Sequence, residues 1–414
     1  MTKIIDALVI GGGPAGLAAA ISLKKNGIDK ILVVEREDSL GGILLQCIHN
    51  GFGLHRFKEE LTGPEYAEKY IEMLEGTDIE TMTGTCAIDI VNEKDGKTVY
   101  LMSEKSGLIE AKTKVVILAM GCRERNRGNI AIPGTRPAGI MTAGLAQKFV
   151  NRYGYMPGKE VVILGSGDIG LIMARRMTWE GAKVKAVVEL QPYPGGLNRN
   201  IVQCLNDYNI PLYLSHTITA IRGNSRITEV DIAPINEYKE PKKSETFTLT
   251  CDSLLLSVGL LPENELSQIA GVILDKVTGG PLIDSNYMTN IPGVFACGNV
   301  LHVHDLVDWV SEESEATAKA AAEYIKHQTI QKSKIPVRVG NLVRYALPTV
   351  LEPGKPGLIS LRVIAPAENA TLYAKVDDEI IYKKAHKKIF PSEMQRIEIK
   401  KVPENAKMIH VYLE

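Results

Sequence analysis

No CxxC pair occurs in the 414 residues: the six cysteines, Cys47, Cys86, Cys122, Cys204, Cys251 and Cys297, are scattered without regular spacing. That speaks against a disulfide framework and against a cysteine zinc site, and fits thiols kept reduced in a cytosol. No apolar run approaches the roughly 20 residues needed to span a bilayer. The N-terminus enters a strand-like run, ALVI, without the charged stretch and apolar segment of a secretion signal. Net charge is nearly absent too. Forty-eight basic residues face forty-nine acidic ones, so no electrostatic argument favours a nucleic-acid partner or an anionic membrane. A cytoplasmic protein is expected, and at this length two or three domains.

What is present is a glycine-rich turn, used twice. GGGPAG, residues 11 to 16, follows the β-branched run Ala7 to Ile10 and opens the helical pattern LAAAISLKKNG, which stops at Gly27. The next strand-like run, ILVVE, ends at Glu35, nineteen residues past Gly16. Each piece has a task in a dinucleotide site. Gly11 permits the tight turn, Gly13 lets backbone approach a pyrophosphate, and Gly16 allows the helix to pack closely on the strand. Pro14 and Ala15 lie where free N–H groups and the positive end of the helix meet phosphate. Glu35, with Arg36 beside it, is placed to hold a ribose. A glycine turn of some other α/β protein has no need for strand, helix and acid together.

The second copy, GSGDIG, follows Val161 to Leu164 and supplies Gly165, Gly167 and Gly170, with Asp168 and Ile169 inside the turn. Its acid, Glu189, again lies nineteen residues past the last glycine. A carboxylate there accepts bonds from an unmodified ribose and repels a 2′-phosphate, which favours NAD(H) over NADP(H). Asp168 is unusual beside phosphates and is expected to point to solvent.

Between and after the turns stand VVILAMG, ending at Gly121, then SLLLSVGLLPENEL and IPGVFACGNV. In this order the motifs resemble the two-dinucleotide-binding-domain flavoproteins of the pyridine nucleotide-disulfide oxidoreductase superfamily, over roughly residues 4 to 330. The resemblance implies FAD at the first turn and NAD(H) at the second, with the reactive rings meeting at the domain boundary. It also implies that the late strand rejoins the first domain and that its terminal acid meets the ribityl chain. Here Asn299, after Gly298, stands in that acid's place. Gly41-Gly42, Arg123-Glu124-Arg125 and HVHDLVDWV (residues 302 to 310) resemble the α subunits of sarcosine oxidase and of hydroxyproline or opine dehydrogenases. They also resemble relatives that accompany glycerol-3-phosphate-dehydrogenase-like flavoproteins. That implies a partner flavoprotein subunit and an oligomer.

The expected fold class is α/β, with two Rossmann-like dinucleotide-binding domains, the second inserted in the first, and a small C-terminal β-rich domain. The FAD domain is expected over 1–125 and 283–330, the NAD(H) domain over 126–282, a polar linker at 331–334 and the β unit over 335–414. The last follows from the period-2 runs GLISLRVIA, ATLYAKVD, EIIYKK, QRIEIKKV and MIHVYLE, read as antiparallel. It is expected to serve docking, so that its removal leaves the flavin spectrum unchanged.

Catalytic candidates are few: Cys47 and His49, in GGILLQCIHNGFG. Disulfide reductases of the superfamily carry a CxxxxC pair after this double glycine, whereas here one cysteine stands at a different offset. Cys47 is therefore read as a buried structural thiol before a redox one, and His49 as a hydrogen-bonded structural histidine before a group at the flavin edge. His302, His304, Asp305 and Asp308 imitate a metal set, but loop shaping and helix capping are expected of them and no metal. Arg123 and Arg125 touch cofactor or form an exposed charged loop. Positive potential for the reduced flavin is expected from the start of a helix after HVHDLVDWV, through residues 311 to 325. An FAD-dependent oxidoreductase exchanging hydride with NAD(H), as a subunit of a multi-component dehydrogenase, is the expected function. The alternative is a scaffold subunit that binds a nucleotide structurally.

Overall fold

The computed structural model describes residues 1–328, 334–377 and 379–414. The chain divides into two compact units, Met1–Cys122 with Pro262–Glu414, and Arg123–Leu261 between them in sequence. Most of the expected linker at 331–334 lies outside the described residues; only Lys334 is described.

In the first unit, short β-branched runs become central strands because both faces of a parallel sheet are covered. Ala7–Ile10, Ile31–Val34 and Val115–Leu118 are buried at every position. They join Glu80–Met82 and Val294–Ala296 in a parallel sheet with Ala7–Ile10 at its centre. One face carries the helices Pro14–Lys25, Gly63–Glu75 and Val307–His327. Ala18 and Ala19 of the first helix share a core with Ala318, Ala321 and Ala322 of the last; small side chains let helix axes approach closely. The other face is covered by a meander, Thr85–Glu93, Gly96–Ser103 and Gly107–Thr113, which buries Val99, Leu101 and Ile109.

The second unit repeats this plan. Its parallel sheet runs in the order Ile140–Thr142, Ser253–Leu256, Glu160–Leu164, Lys183–Glu189, Leu212–Leu214. The helices Ala143–Tyr153 and Asp168–Trp179 share the core on one face, and the meander His216–Gly223, Ile227–Pro234, Phe247–Thr250 covers the other. The insertion of one dinucleotide-binding unit into another is thus seen, with boundaries that differ from those read in the sequence. Residues 262–282, expected in the insert, belong to the first unit. The reason is packing: Ala270 and Val272 enter the core on its meander face, and Asn264 Nδ2 donates to the carbonyls of Gly279 and Val300.

The C-terminal residues form two sheets around one core that includes Leu351, Ile359, Leu361, Ile397, Val411 and Leu413. The expectation of a purely antiparallel unit is corrected at one pair, since Ile335–Val339 runs parallel to Ile409–Leu413. Nor does this tail stand apart. Leu347 is buried in the core of the first unit. Arg362 donates to the Val303 carbonyl at 3.0 Å and to Asp305 at 3.2 Å, while Arg396 lies over the Trp309 ring at 4.3 Å and pairs with Glu312. The tail grips the segment 303–312 of the first unit.

Candidate nucleotide sites

The first glycine turn is held open by its own backbone. Gly11 has φ +110°, and a Cβ there would strike the Ala119 carbonyl; a Cβ at Gly16 would strike the carbonyl of Gly11. Gly13 caps the helix Pro14–Lys25 with no side-chain bond to the first turn, so the N–H groups around Ala15 keep their dipole for an anion. Glu35 is 7% exposed. Its Oε2 accepts the Gly12 N–H at 2.7 Å and its Oε1 the Glu37 N–H at 2.9 Å. Gly41 N–H donates to the Gly12 carbonyl at 2.8 Å, and a Cβ on Gly42, at φ +58°, would stand 2.9 Å from Gly13 Cα. The double glycine therefore closes over the turn, while Arg36 is exposed beside it. Gly121, at φ +72°, ends the neighbouring strand segment. A Cβ on Gly298 would come 2.7 Å from that of Ala15, so this glycine brings the last strand to the start of the helix. These features fit a dinucleotide pyrophosphate against backbone, with a ribose against the acid.

The second turn copies the first. Gly165 has φ +97° and donates to the Val188 carbonyl at 2.7 Å. Glu189, 8% exposed, accepts Ser166 N–H at 2.9 Å, Ser166 Oγ–H at 2.6 Å and Gln191 N–H at 2.8 Å. Gly167 caps the helix Asp168–Trp179 without a side-chain bond, Gly170 N–H donates to Ser257 Oγ at 3.0 Å, and Ile169 packs on the helical core. Asp168 does not point to solvent as expected. Its Oδ1 accepts Leu197 N–H at 2.8 Å and Asn200 Nδ2 at 2.6 Å. It thereby draws the 195–200 segment over the turn, where Gly195 N–H meets Ser166 Oγ at 2.8 Å. The sequence carried a signal for this that the motif reading missed. Gly195-Gly196 follow Glu189 at the same offset at which Gly41-Gly42 follow Glu35.

Asn299 is turned away from a free role. Its Oδ1 accepts His304 N–H at 3.0 Å and its Nδ2 faces Cys122 Sγ at 3.7 Å. The helix expected after HVHDLVDWV begins inside that motif, at Val307. Leu306 is extended, and Asp308 in the first turn accepts Gly53 N–H at 3.3 Å and Arg56 N–H at 2.9 Å. An acid in the first turn suits the helix dipole and ties the 53–56 segment to it. Cys47 donates to the Ile43 carbonyl at 3.3 Å, and burial pushes its thiol up to about 12. A raised thiol carries less thiolate, and so reacts more slowly, near neutrality. His49 Nδ1 lies 3.1 Å from the Asn50 carbonyl, its ring beside Phe52. Glu124 accepts Gly144 N–H at the start of the helix Ala143–Tyr153; burial raises its carboxyl against the lowering bonds from Thr142, Gly144 and Leu145. Arg123 and Arg125 beside it are exposed.

Residues 5–323 match the family described as pyridine nucleotide-disulphide oxidoreductase. The chain belongs to that family. Within the matched residues lie both glycine turns, each with the form of a dinucleotide cradle. Among curated proteins it is 27% identical over 300 residues to the F subunit of alkyl hydroperoxide reductase of Staphylococcus aureus strain MRSA252, a match over 71% of this chain and 54% of that protein. The chain thus matches only about half the length of these relatives. Among solved structures, thioredoxin reductase of Lactococcus lactis superposes with TM-score 0.65 at 22% identity, over 78% of this chain and 99% of the other. That of T. acidophilum gives 0.64 at 22%, over 78% and 98%. L-proline dehydrogenase from P. horikoshii gives 0.53 at 18%, over 77% and 55%. These likenesses establish the fold. No described helix is long and apolar enough to cross a membrane.

Proposed function

We propose that this chain takes electrons from NADH rather than NADPH and passes them to a second protein, as the nicotinamide-oxidising subunit of a cytoplasmic multi-component dehydrogenase. Bound FAD and a nicotinamide nucleotide supply the hydride chemistry. The observation that carries the reading is Glu189, a nearly buried carboxylate held by three donors at the second turn. Its charge is fixed where an adenosine ribose lies in sites of this kind, and a 2′-phosphate placed there meets an anion that cannot swing away. Gly11 to Gly16 and Glu35 give the first turn the same form. Cys47 has no second cysteine near it in sequence, the next being Cys86, which supports delivery to an external acceptor instead of an internal thiol couple.

The partner reading rests on the motifs that resemble α subunits of heteromeric amine and imino-acid dehydrogenases. The outer strand of the tail, Glu379–Ile389, adds to it. Lys383, Lys384, Lys387 and Lys388 guard that edge against strand pairing and suit an acidic partner surface. The test is turnover by the isolated protein. NADH oxidation with an artificial dye, no turnover of amino acids or polyol phosphates, and recovery within a larger complex from the native extract are expected. Robust turnover of one small molecule by the lone chain refutes the subunit reading. NADH oxidation that is absent even with dye would make the chain a scaffold.

A further inference from the structure

Three donor groups converge beside the first nucleotide cradle, where the last strand of the first sheet leads into the long helix. His302 Nε2 lies 3.0 Å from Glu313 Oε2, and His304 Nε2 lies 3.4 Å from the same oxygen. The ligand atoms of the three residues are all within 4.8 Å of one another. Glu313 was invisible in the sequence, one acid among several in SEESEATAK. His302 is 1% exposed and Glu313 9%.

The atoms behind these donors are each held by a partner. Glu313 Oε1 accepts Gly298 N–H at 2.7 Å, which leaves Oε2 to face the rings. His302 Nδ1 lies 3.2 Å from the Tyr345 hydroxyl. His304 Nδ1 lies 3.2 Å from Asn299 Oδ1. That amide cannot be turned round without loss, because the same Oδ1 accepts the His304 backbone N–H at 3.0 Å. Nδ1 of His304 must therefore carry a hydrogen, and a neutral ring then aims the Nε2 lone pair at a carboxylate. Lone pair against carboxylate is repulsive in a buried place; a second ring proton or a metal cation between them removes the conflict, and the convergence of two rings on one oxygen favours the shared cation.

The geometry points to a binding site for a divalent first-row transition ion held by His302 Nε2, His304 Nε2 and Glu313 Oε2. Neighbouring donors on a tetrahedral ion with bonds of roughly 2.0–2.1 Å stand about 3.3–3.4 Å apart, close to the two separations found. Two imidazoles and one carboxylate select this class of metal over magnesium or calcium, which prefer all-oxygen shells. The outer partners are of the type that orients metal-bound histidines, an oxygen on each Nδ1. A small cavity lined by Tyr287, Leu301, Leu347, Pro348 and Ser360 reaches His302 and Glu313. The ion would join the exit of the last strand to the long helix and, through Tyr345, to the tail. Its role is to fix the loop that carries Asn299.

The test uses the full-length flavoprotein, stripped with a chelator and titrated with Zn2+ against a chromophoric competitor. One Zn2+ per chain is expected, with a rise in melting temperature. His304→Ala and Glu313→Gln should abolish that binding step, and Tyr345→Phe should weaken it roughly tenfold, as loss of an outer partner does. X-ray absorption of the Zn2+-loaded wild type keeps the test independent of how the variants fold. Two imidazole nitrogens with oxygen ligands are expected. Sulfur ligation, oxygen-only ligation, or no stoichiometric Zn2+ uptake by the folded wild type would overturn the site. So would uptake unchanged in folded Glu313→Gln.

Discussion

Replacing Glu189 by Gln removes one charge and little else, so it isolates the cause of nucleotide choice. The carboxylate now accepts Ser166 N–H, Ser166 Oγ–H and Gln191 N–H at 2.6 to 2.9 Å. A Gln Oε1 can keep the Ser166 bonds, while its amide cannot accept from Gln191 N–H, and a modest loss of turn rigidity follows. The larger effect is electrostatic. A unit charge on a 2′-phosphate about 5 Å from the carboxylate interacts by about 3 kcal/mol at an effective dielectric of about 20, and by half that with better solvation. The selectivity ratio, kcat/KM for NADH over that for NADPH, should therefore fall about 10- to 100-fold. Most of the change should appear as improved use of NADPH. The assay is anaerobic flavin reduction at varied concentrations of each nucleotide, with FAD content checked beforehand. An unchanged ratio in a variant that retains its flavin refutes the reasoning, because Glu189 would then not face the ribose.

The remaining predictions concern the first unit. Gly42→Ala puts a Cβ 2.9 Å from Gly13 Cα at φ +58°, so FAD affinity should fall at least about tenfold, a cost of about 1–2 kcal/mol, measured by flavin retention on dilution. With the Cys47 thiol pushed from 9.0 to about 12, the thiolate fraction at pH 8 falls about a thousandfold. Iodoacetamide should label Cys47 far more slowly in the native protein than in urea, speeding up as pH rises, and Cys47→Ser should leave NADH-to-dye transfer within about twofold; fast native labelling would contradict the raised thiol. Arg362→Ala strips Asp305 and the Val303 carbonyl of a partly buried partner, which should cost roughly 3–5 kcal/mol, read from urea unfolding. Removing residues 335–414 should release FAD; a tail-less protein with an intact flavin spectrum would show that the grip on 303–312 is dispensable.

Much of the architecture was legible because each turn is a local sentence: strand, three glycines, helix, strand and acid all lie within about thirty residues, so spacing alone carries the geometry. The surroundings were less legible where partners are distant in sequence. Asp168 read as solvent-facing because Leu197 and Asn200, which it binds, gave no motif. Glu313 was hidden because an acid on a helix is ordinarily a solvated face, and only the fold brings it to His302 and His304. The tail's period-2 runs announced strands correctly, yet alternation says nothing about what a sheet leans on; Arg362, Arg396 and Leu347 made it part of the first unit. The helix start at Val307 was misplaced for a related reason. Val-Asp-Trp-Val has modest helix propensity, and the bonds from Asp308 to the 53–56 segment are tertiary.

The most direct test of the account is anaerobic mixing of the purified protein with one equivalent of NADH, followed by identification of the flavin released on denaturation. The account predicts bleaching of the flavin band, faster than with NADPH, and FAD as the released species. FMN, no flavin after reconstitution with FAD, or a flavin that NADH leaves oxidised would contradict the assignment of the two turns.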